Sequence, residues 1–262
     1  MNKVFYLLLI PVLLASCDKI EPDGVEETRS YSLSPFSSVA VSDGISFIVS
    51  DTATTVTVTA DRGVFSELRV LVKAGTLHVF RAKWLMPTMN YKATIVIPLN
   101  NLEEVKLSGG SDFYAEVPYQ VETFSLDMSG GSVCRIPVTC SAAIINLSGG
   151  SKVQTADTGE GLVCNRLEGD LSGGSVCRIP VTCSTAIINL SGGSKVQTAD
   201  TGEGLVCNRL EGNLSGGSIL ACTCDETIKC KLSGGSILNY SGSADTSPSS
   251  LSGGSKIVHM AE

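Results

Sequence analysis

The side chains with the clearest chemical potential are acids in a repeated loop. The loop Thr155-Ala156-Asp157-Thr158-Gly159-Glu160-Gly161 recurs from Thr198 to Gly204, which makes Asp157, Glu160, Asp200 and Glu203 the candidate binding carboxylates. Carboxylate oxygens of this kind can hold calcium. With Arg135 or Arg178 as base, they would make a β-helical lyase acting on an acidic polysaccharide, which is the enzymatic alternative. A duplicated site is unusual for catalysis, whereas repeated loops suit multivalent binding or plain solvated corners. His78 and His259 are the only histidines, and no Ser-His-acid or paired-carboxylate arrangement can be assembled around them. The expectation is a protein with no catalytic residue, no metal and no cofactor.

Cysteine is the other reactive residue type, with ten in the chain. Their spacing lacks the paired Cys-x-x-Cys of zinc sites. Cys134 and Cys177 fall where other repeats carry Val or Leu, so most are expected as buried thiols packing like small hydrophobes. Cys222-Thr223-Cys224, with Cys207 and Cys230 near it in sequence, leaves a disulfide or a soft-metal site open.

Cys17 has a different role. Val4 to Leu14 is almost wholly apolar and too short to span a bilayer, as expected of a signal-peptide core. Leu14-Ala15-Ser16-Cys17 follows directly and resembles a lipobox, in which the cysteine is acylated and becomes the mature N-terminus. Residues 1–16 are thus read as a lipoprotein signal peptide and Cys17 as the lipidation site. Several acyl chains on one residue, at ~0.8 kcal/mol per buried methylene, make a lasting anchor. Residues 17–31, with Asp18, Glu21, Asp23, Glu26 and Glu27, read as an acidic flexible tether. That acidic stretch resembles the surface-export signals of some Gram-negative lipoproteins. Without Lys3 the chain has 18 Lys and Arg against 26 Asp and Glu, and few aromatics, which argues against nucleic acid as a partner.

What positions all of these residues is a repeat. Ser-Gly-Gly-Ser begins at Ser108, Ser129, Ser148, Ser172, Ser191, Ser215, Ser233 and Ser252, at intervals of 18 to 24 residues. Ser129 to Gly169 recurs as Ser172 to Gly212 with only Ala142 replaced, by Thr185, an offset of 43 residues. A chain that accepts such an insertion is built from units that contact mainly their neighbours. Two residues past each motif stand Phe113, Cys134, Val153, Cys177, Val196, Leu220, Leu238 and Ile257, all apolar. Just before it stand Leu107, Met128, Leu147, Leu171, Leu190, Leu214, Leu232 and Leu251, and Val105, Leu126, Ile145 and Ile188 extend the alternation. Period two means strand. Coils stacked ~4.8 Å apart would turn each position into a core column. The glycines supply positive-φ corners and the serines bond to backbone or to neighbouring coils. The fold class is all-β: a right-handed parallel β-helix, the hand following from the crossover rule.

Residues 32–262 form one domain, with N-terminal strands over 32–103 and repeat coils over 104–262. The alternation of Val39 and Val41, of Ile45, Phe47 and Val49, and of Ile95, Ile97 and Leu99 predicts first layers that cap one end, with turns at Asp43-Gly44, Asp51 and Ala74-Gly75. Trp84-Leu85-Met86-Pro87 is expected to cover the core's open end, the alternative being an exposed apolar patch presented to a partner. At the other end the last strand edge invites self-association.

The runs Phe36 to Val41, Asp43 to Val49, Gly75 to Val79, Ile95 to Leu99 and Leu107 to Asp112, in that order, resemble the auto-transporter adhesin, head GIN domain family. The name's Gly-Ile-Asn is here Gly44-Ile45-Ser46. The resemblance implies an exported β-helical lipoprotein with an adhesive role. The functional expectation is a non-enzymatic adhesin anchored in the outer membrane through Cys17, displayed on the cell surface and binding a glycan or a surface protein.

Overall fold

The computed structural model describes residues 24–82, 92–99, 101–197 and 204–260. Cys17, Trp84 to Pro87, Asp200 and Glu203 lie outside them. The described chain is a parallel β-solenoid of about seven turns. Each rung has a leading strand, a Ser-Gly-Gly-Ser corner, a trailing strand and a third side that returns to the next leading strand. Leading strands such as Thr123–Met128 and Ala142–Leu147 pair in parallel, as do trailing strands such as Val133–Arg135 and Lys152–Gln154. Higher up, the third side and the leading strand merge into single long strands, Leu162–Leu171, Val181–Leu190 and Leu205–Leu214.

Register follows the apolar alternation. The trailing column runs Phe47, Phe113, Cys134, Val153, Cys177, Val196, Leu220, Leu238, Ile257, each opposite the next. The leading column runs Val41, Leu107, Met128, Leu147, Leu171, Leu190, Leu214, Leu232, Leu251. Burying a Leu or Phe side chain stabilises by roughly 1.5–3 kcal/mol, so these columns are the fold's main cohesive element. On the third side Cys164, Cys183, Cys207 and Cys224 pair rung to rung, with the Cys140 thiol hydrogen-bonded to Cys164 from the rung below. All nine described cysteines are buried free thiols.

The corners are nearly identical copies. In each, the last serine's hydroxyl donates to the carbonyl of the first, as Ser132 does to Ser129 at 2.8 Å and Ser194 to Ser191 at 2.7 Å, and that serine is fully buried in every corner but the last, at Ser255. The first serine's N–H donates to the rung below, Ser129 to the Leu107 carbonyl at 2.9 Å. The two glycines have different constraints. Gly130 and Gly131 both have positive φ, 66° and 78°. A Cβ on Gly130 would lie 2.9 Å from the backbone nitrogen of Gly109 in the rung beneath, while one on Gly131 would meet nothing.

The base departs from this regularity. Ser42-Asp43-Gly44-Ile45 occupies the corner beneath Ser108-Gly109-Gly110-Ser111, and Asp43 takes the first glycine's place at φ 67°. Its carboxylate accepts from the Ser42 hydroxyl at 2.7 Å and the Arg81 N–H at 3.1 Å, and the Arg81 guanidinium bonds its carbonyl. Thr76–Arg81 and Ala93–Pro98 make one more parallel layer below. Leu68–Lys73 and Val56–Asp61 then pair with that layer antiparallel, and Glu26–Tyr31 pairs antiparallel with Val56–Asp61. The turn joining Leu68–Lys73 to Thr76–Arg81 has positive φ at Ala74 and Gly75, 50° and 76°, as a two-residue hairpin requires.

The tether expected over 17–31 needs correction, because Glu26–Tyr31 is a strand. The segment carries no apolar alternation, and its pairing rests on backbone bonds and contacts such as Thr28 with Thr59 at 2.8 Å and Arg29 over the Phe65 ring at 4.0 Å. At the opposite end Lys256–His259 pairs on one side only among the described residues, and Leu251 there is half exposed.

Candidate functional site

The position just before each leading-column residue faces outward, and register stacks these residues into a polar file. From the base it reads Ala40, Lys106, Asp127, Asn146, Asp170, Asn189, Asn213. Side chains bond along the file. Asn146 donates to Asp127 at 2.6 Å, Asn189 to Asp170 at 2.8 Å, and Asn213 to Asn189 at 2.9 Å. One oxygen of each carboxylate is therefore occupied from the rung above, which orients the second toward solvent. Beside the file run the first serines of the corners, whose hydroxyls lie over the rung below, as Ser148 does on the Met128 carbonyl at 3.2 Å.

The file and the serines line a continuous groove. Its lower part, about 560 Å³, extends from His78 and Phe80 up to Asp170 and Ser172. Its upper part, about 320 Å³, starts from those same two residues and reaches Asn213 and Ser215. At the lower end Phe80 is 37% exposed and offers an apolar face, with His78 stacked in register beneath Ala40. Lys106 bonds Glu104 at 2.6 Å on the same wall. The result is an open trough in which, from Asp127 to Asn213, each rung adds a serine hydroxyl and either an amide or a carboxylate, with Phe80 at its lower end. It can hold an extended polar chain, and among the described residues no nucleophile in it is hydrogen-bonded to a base.

The acidic loop is not part of this groove. Asp157 is exposed, and the Tyr114 hydroxyl donates to it at 3.4 Å. Glu160 borders a separate hollow of about 280 Å³ walled by Pro118, Pro137 and Pro180. Among the described residues no three His, Cys, Asp or Glu side chains are arranged to hold a metal ion. Calcium-dependent cleavage thus gains no support from Asp157 and Glu160. Arg135 and Arg178 each bond a glutamine one rung up, Gln154 at 3.1 Å and Gln197 at 3.2 Å, as structural neighbours. His259 packs on Tyr240 and contacts the Gly242 carbonyl at 3.0 Å.

The cysteine file is buried and its thiols differ: hydrogen bonding from Cys207 holds the Cys224 thiol down at about 7, and hydrogen bonding from Cys164 lowers Cys183. Burial pushes the Cys177 and Cys230 thiols up to about 12 and raises Cys134 and Cys222 as well. Cys207 is raised by donating to Cys224 and by its burial. Reading the sequence by its acids and thiols missed the polar file, although it carried a signal. Asp or Asn immediately precedes Leu or Met at five consecutive corners, from Asp127 to Asn213.

Solved structures share this fold. A putative lipid binding protein from Parabacteroides distasonis ATCC 8503 superposes with a TM-score of 0.75 at 20% identity, over 92% of this chain and 98% of that one. A putative adhesin from Parabacteroides merdae ATCC 43184 does so with a TM-score of 0.79 at 14% identity, over 91% and 98%. A putative adhesin from Bacteroides fragilis NCTC 9343 gives 0.62 at 19%, over 91% and 99%. No curated protein matches the chain. The family model described as "Putative auto-transporter adhesin, head GIN domain" matches residues 35–244, and the chain belongs to that family.

Proposed function

We propose that this is a non-enzymatic, lipid-anchored envelope adhesin that binds an extended glycan along the leading-face groove. The supporting observation is the in-register file of Asp127, Asn146, Asp170, Asn189 and Asn213 beside the corner serines. It repeats a set of hydrogen-bonding groups once per rung, and a polymer of repeated sugars presents matching groups at regular intervals. The family's adhesin description accords with this reading. An acyl-chain ligand inside the solenoid fits less well, since the core cavity beside Gly169 is only about 20 Å³. The anchor at Cys17 holds the solenoid to the outer membrane, and the half-exposed C-terminal edge at Leu251 is where copies would associate.

Affinity electrophoresis against a panel of neutral polysaccharides tests the reading. At least one polymer should retard the mature protein, and Asn146→Ala with Asn189→Ala should abolish the retardation without lowering Tm by more than a few degrees. A panel without a single retarding glycan would refute it. Protease treatment of intact cells, beside a Cys17→Ala variant, tests the location. Digestion of the wild type and release of the variant are expected, whereas protection of the wild type would place it on the periplasmic side.

A further inference from the structure

The trailing face, across the corner from the groove, carries a different pattern. Its outward positions are Val133 and Arg135, then Lys152 and Gln154, Val176 and Arg178, and Lys195 and Gln197 on successive rungs. Each of these four rungs presents one cation, alternating between Arg at one edge and Lys at the other, in a chain whose net charge is −7. With rungs ~4.8 Å apart the cations span about 14 Å in a stripe that zigzags between two neighbouring columns. Arg135, Lys152 and Lys195 have no acidic partner among the described residues. Asp112 and Asp157, the latter bonded to Tyr114, mark the stripe's lower border. Gln154 fixes one edge of the Arg135 guanidinium at 3.1 Å, which orients the fork that remains.

We infer that this stripe is a second binding site, for a linear polysaccharide carrying carboxylates, such as a polyuronate, laid along the solenoid axis. One cation per rung suits a polymer with one carboxylate per sugar, because an extended sugar unit is comparable in length to a rung. A nucleic acid would bring bases that need stacking platforms, and among the described residues Tyr114 is the one aromatic in register with the stripe. The site is independent of the groove, so a groove that takes no glycan leaves it standing.

The test is fluorescence anisotropy of labelled, size-defined oligogalacturonate with the full mature chain, beside its methyl-esterified form and a single-stranded oligonucleotide of equal charge. The acid form should bind, and affinity should fall as salt rises. The methyl ester should not bind. Arg135→Gln with Lys152→Gln should weaken binding about 10-fold or more while the melting curve is retained. Asn146→Ala with Asn189→Ala should leave it unchanged. No binding of the acid form, equal binding of the ester, tighter binding of the oligonucleotide, or insensitivity to the Arg135 and Lys152 changes would each overturn the inference.

Discussion

The base and the stack solve the same problem by different means. In the stack, successive corners place one glycine on another, and the Cβ that Gly192 lacks would lie 3.1 Å from the nitrogen of Gly173. At the base no such corner is described beneath Asp43, and a non-glycine residue stands at φ 67°, held by Ser42 and Arg81. In the stack, the first glycine is therefore fixed by the neighbour below as well as by backbone conformation. The same contrast holds inside. The trailing column is built from stacked Phe47 and Phe113 rings, 5.7 Å apart, at the base, and from Cys, Val and Leu above. The base also covers its strand edge with antiparallel strands, which protects it from pairing with other chains.

The difference can be broken or sharpened by substitution. Phe113→Ala removes the buried ring stacked on Phe47 between base and stack and should cost about 3–5 kcal/mol in denaturant unfolding. Gly192→Ala adds a tight contact with the Gly173 backbone to an unfavourable φ and should cost about 1–3 kcal/mol, whereas Asp43→Asn at the equivalent base position should cost less than about 1 kcal/mol. Equal losses at the two positions would remove the distinction between them. Ser194→Ala deletes a buried hydroxyl's bond to the Ser191 carbonyl and should cost about 1–2 kcal/mol. At the junction of base and stack, the buried Tyr119 hydroxyl has no partner among the described residues, so Tyr119→Phe should raise stability by about 1 kcal/mol.

Alkaline titration separates the regions in another way, because the described cysteines begin at Cys134 and all lie in the stack. The folded Cys177 and Cys230 thiols ionise near 12, against 9.0 for an ordinary thiol. Their stabilising effect is therefore complete below 9 and declines as pH rises toward 12. Tm should fall over that window, and replacing both residues by Val should flatten the fall.

Much of the stack was legible in the sequence because its signal is local and repeated. The serines, the glycines and the two apolar positions beside them fix the corner and the columns, and the observed register follows them. The base was legible only as strands. The alternation of Val56 to Asp61 is the same whether its partner runs parallel or antiparallel, and Glu26–Tyr31 pairs through backbone with no alternation at all. The groove was harder to see because its depth arises from the offset of corners against leading strands, a property of stacked rungs. Asp157 and Glu160 attracted attention as acids, yet they sit on an exposed loop anchored by the buried Ala156.

Each rung depends on its neighbours through one repeated corner, so rungs are interchangeable and the outer faces lengthen with their number. Deleting Ser172 to Leu214, one 43-residue unit, joins Leu171 to Ser215 and restores the sequence Leu-Ser-Gly-Gly-Ser. Guanidinium unfolding of this variant, followed by circular dichroism, is the most direct test. A single cooperative transition with a β-rich spectrum and a smaller m-value is the expected result. A non-cooperative or aggregated product would contradict the claim and show that the rungs are not equivalent.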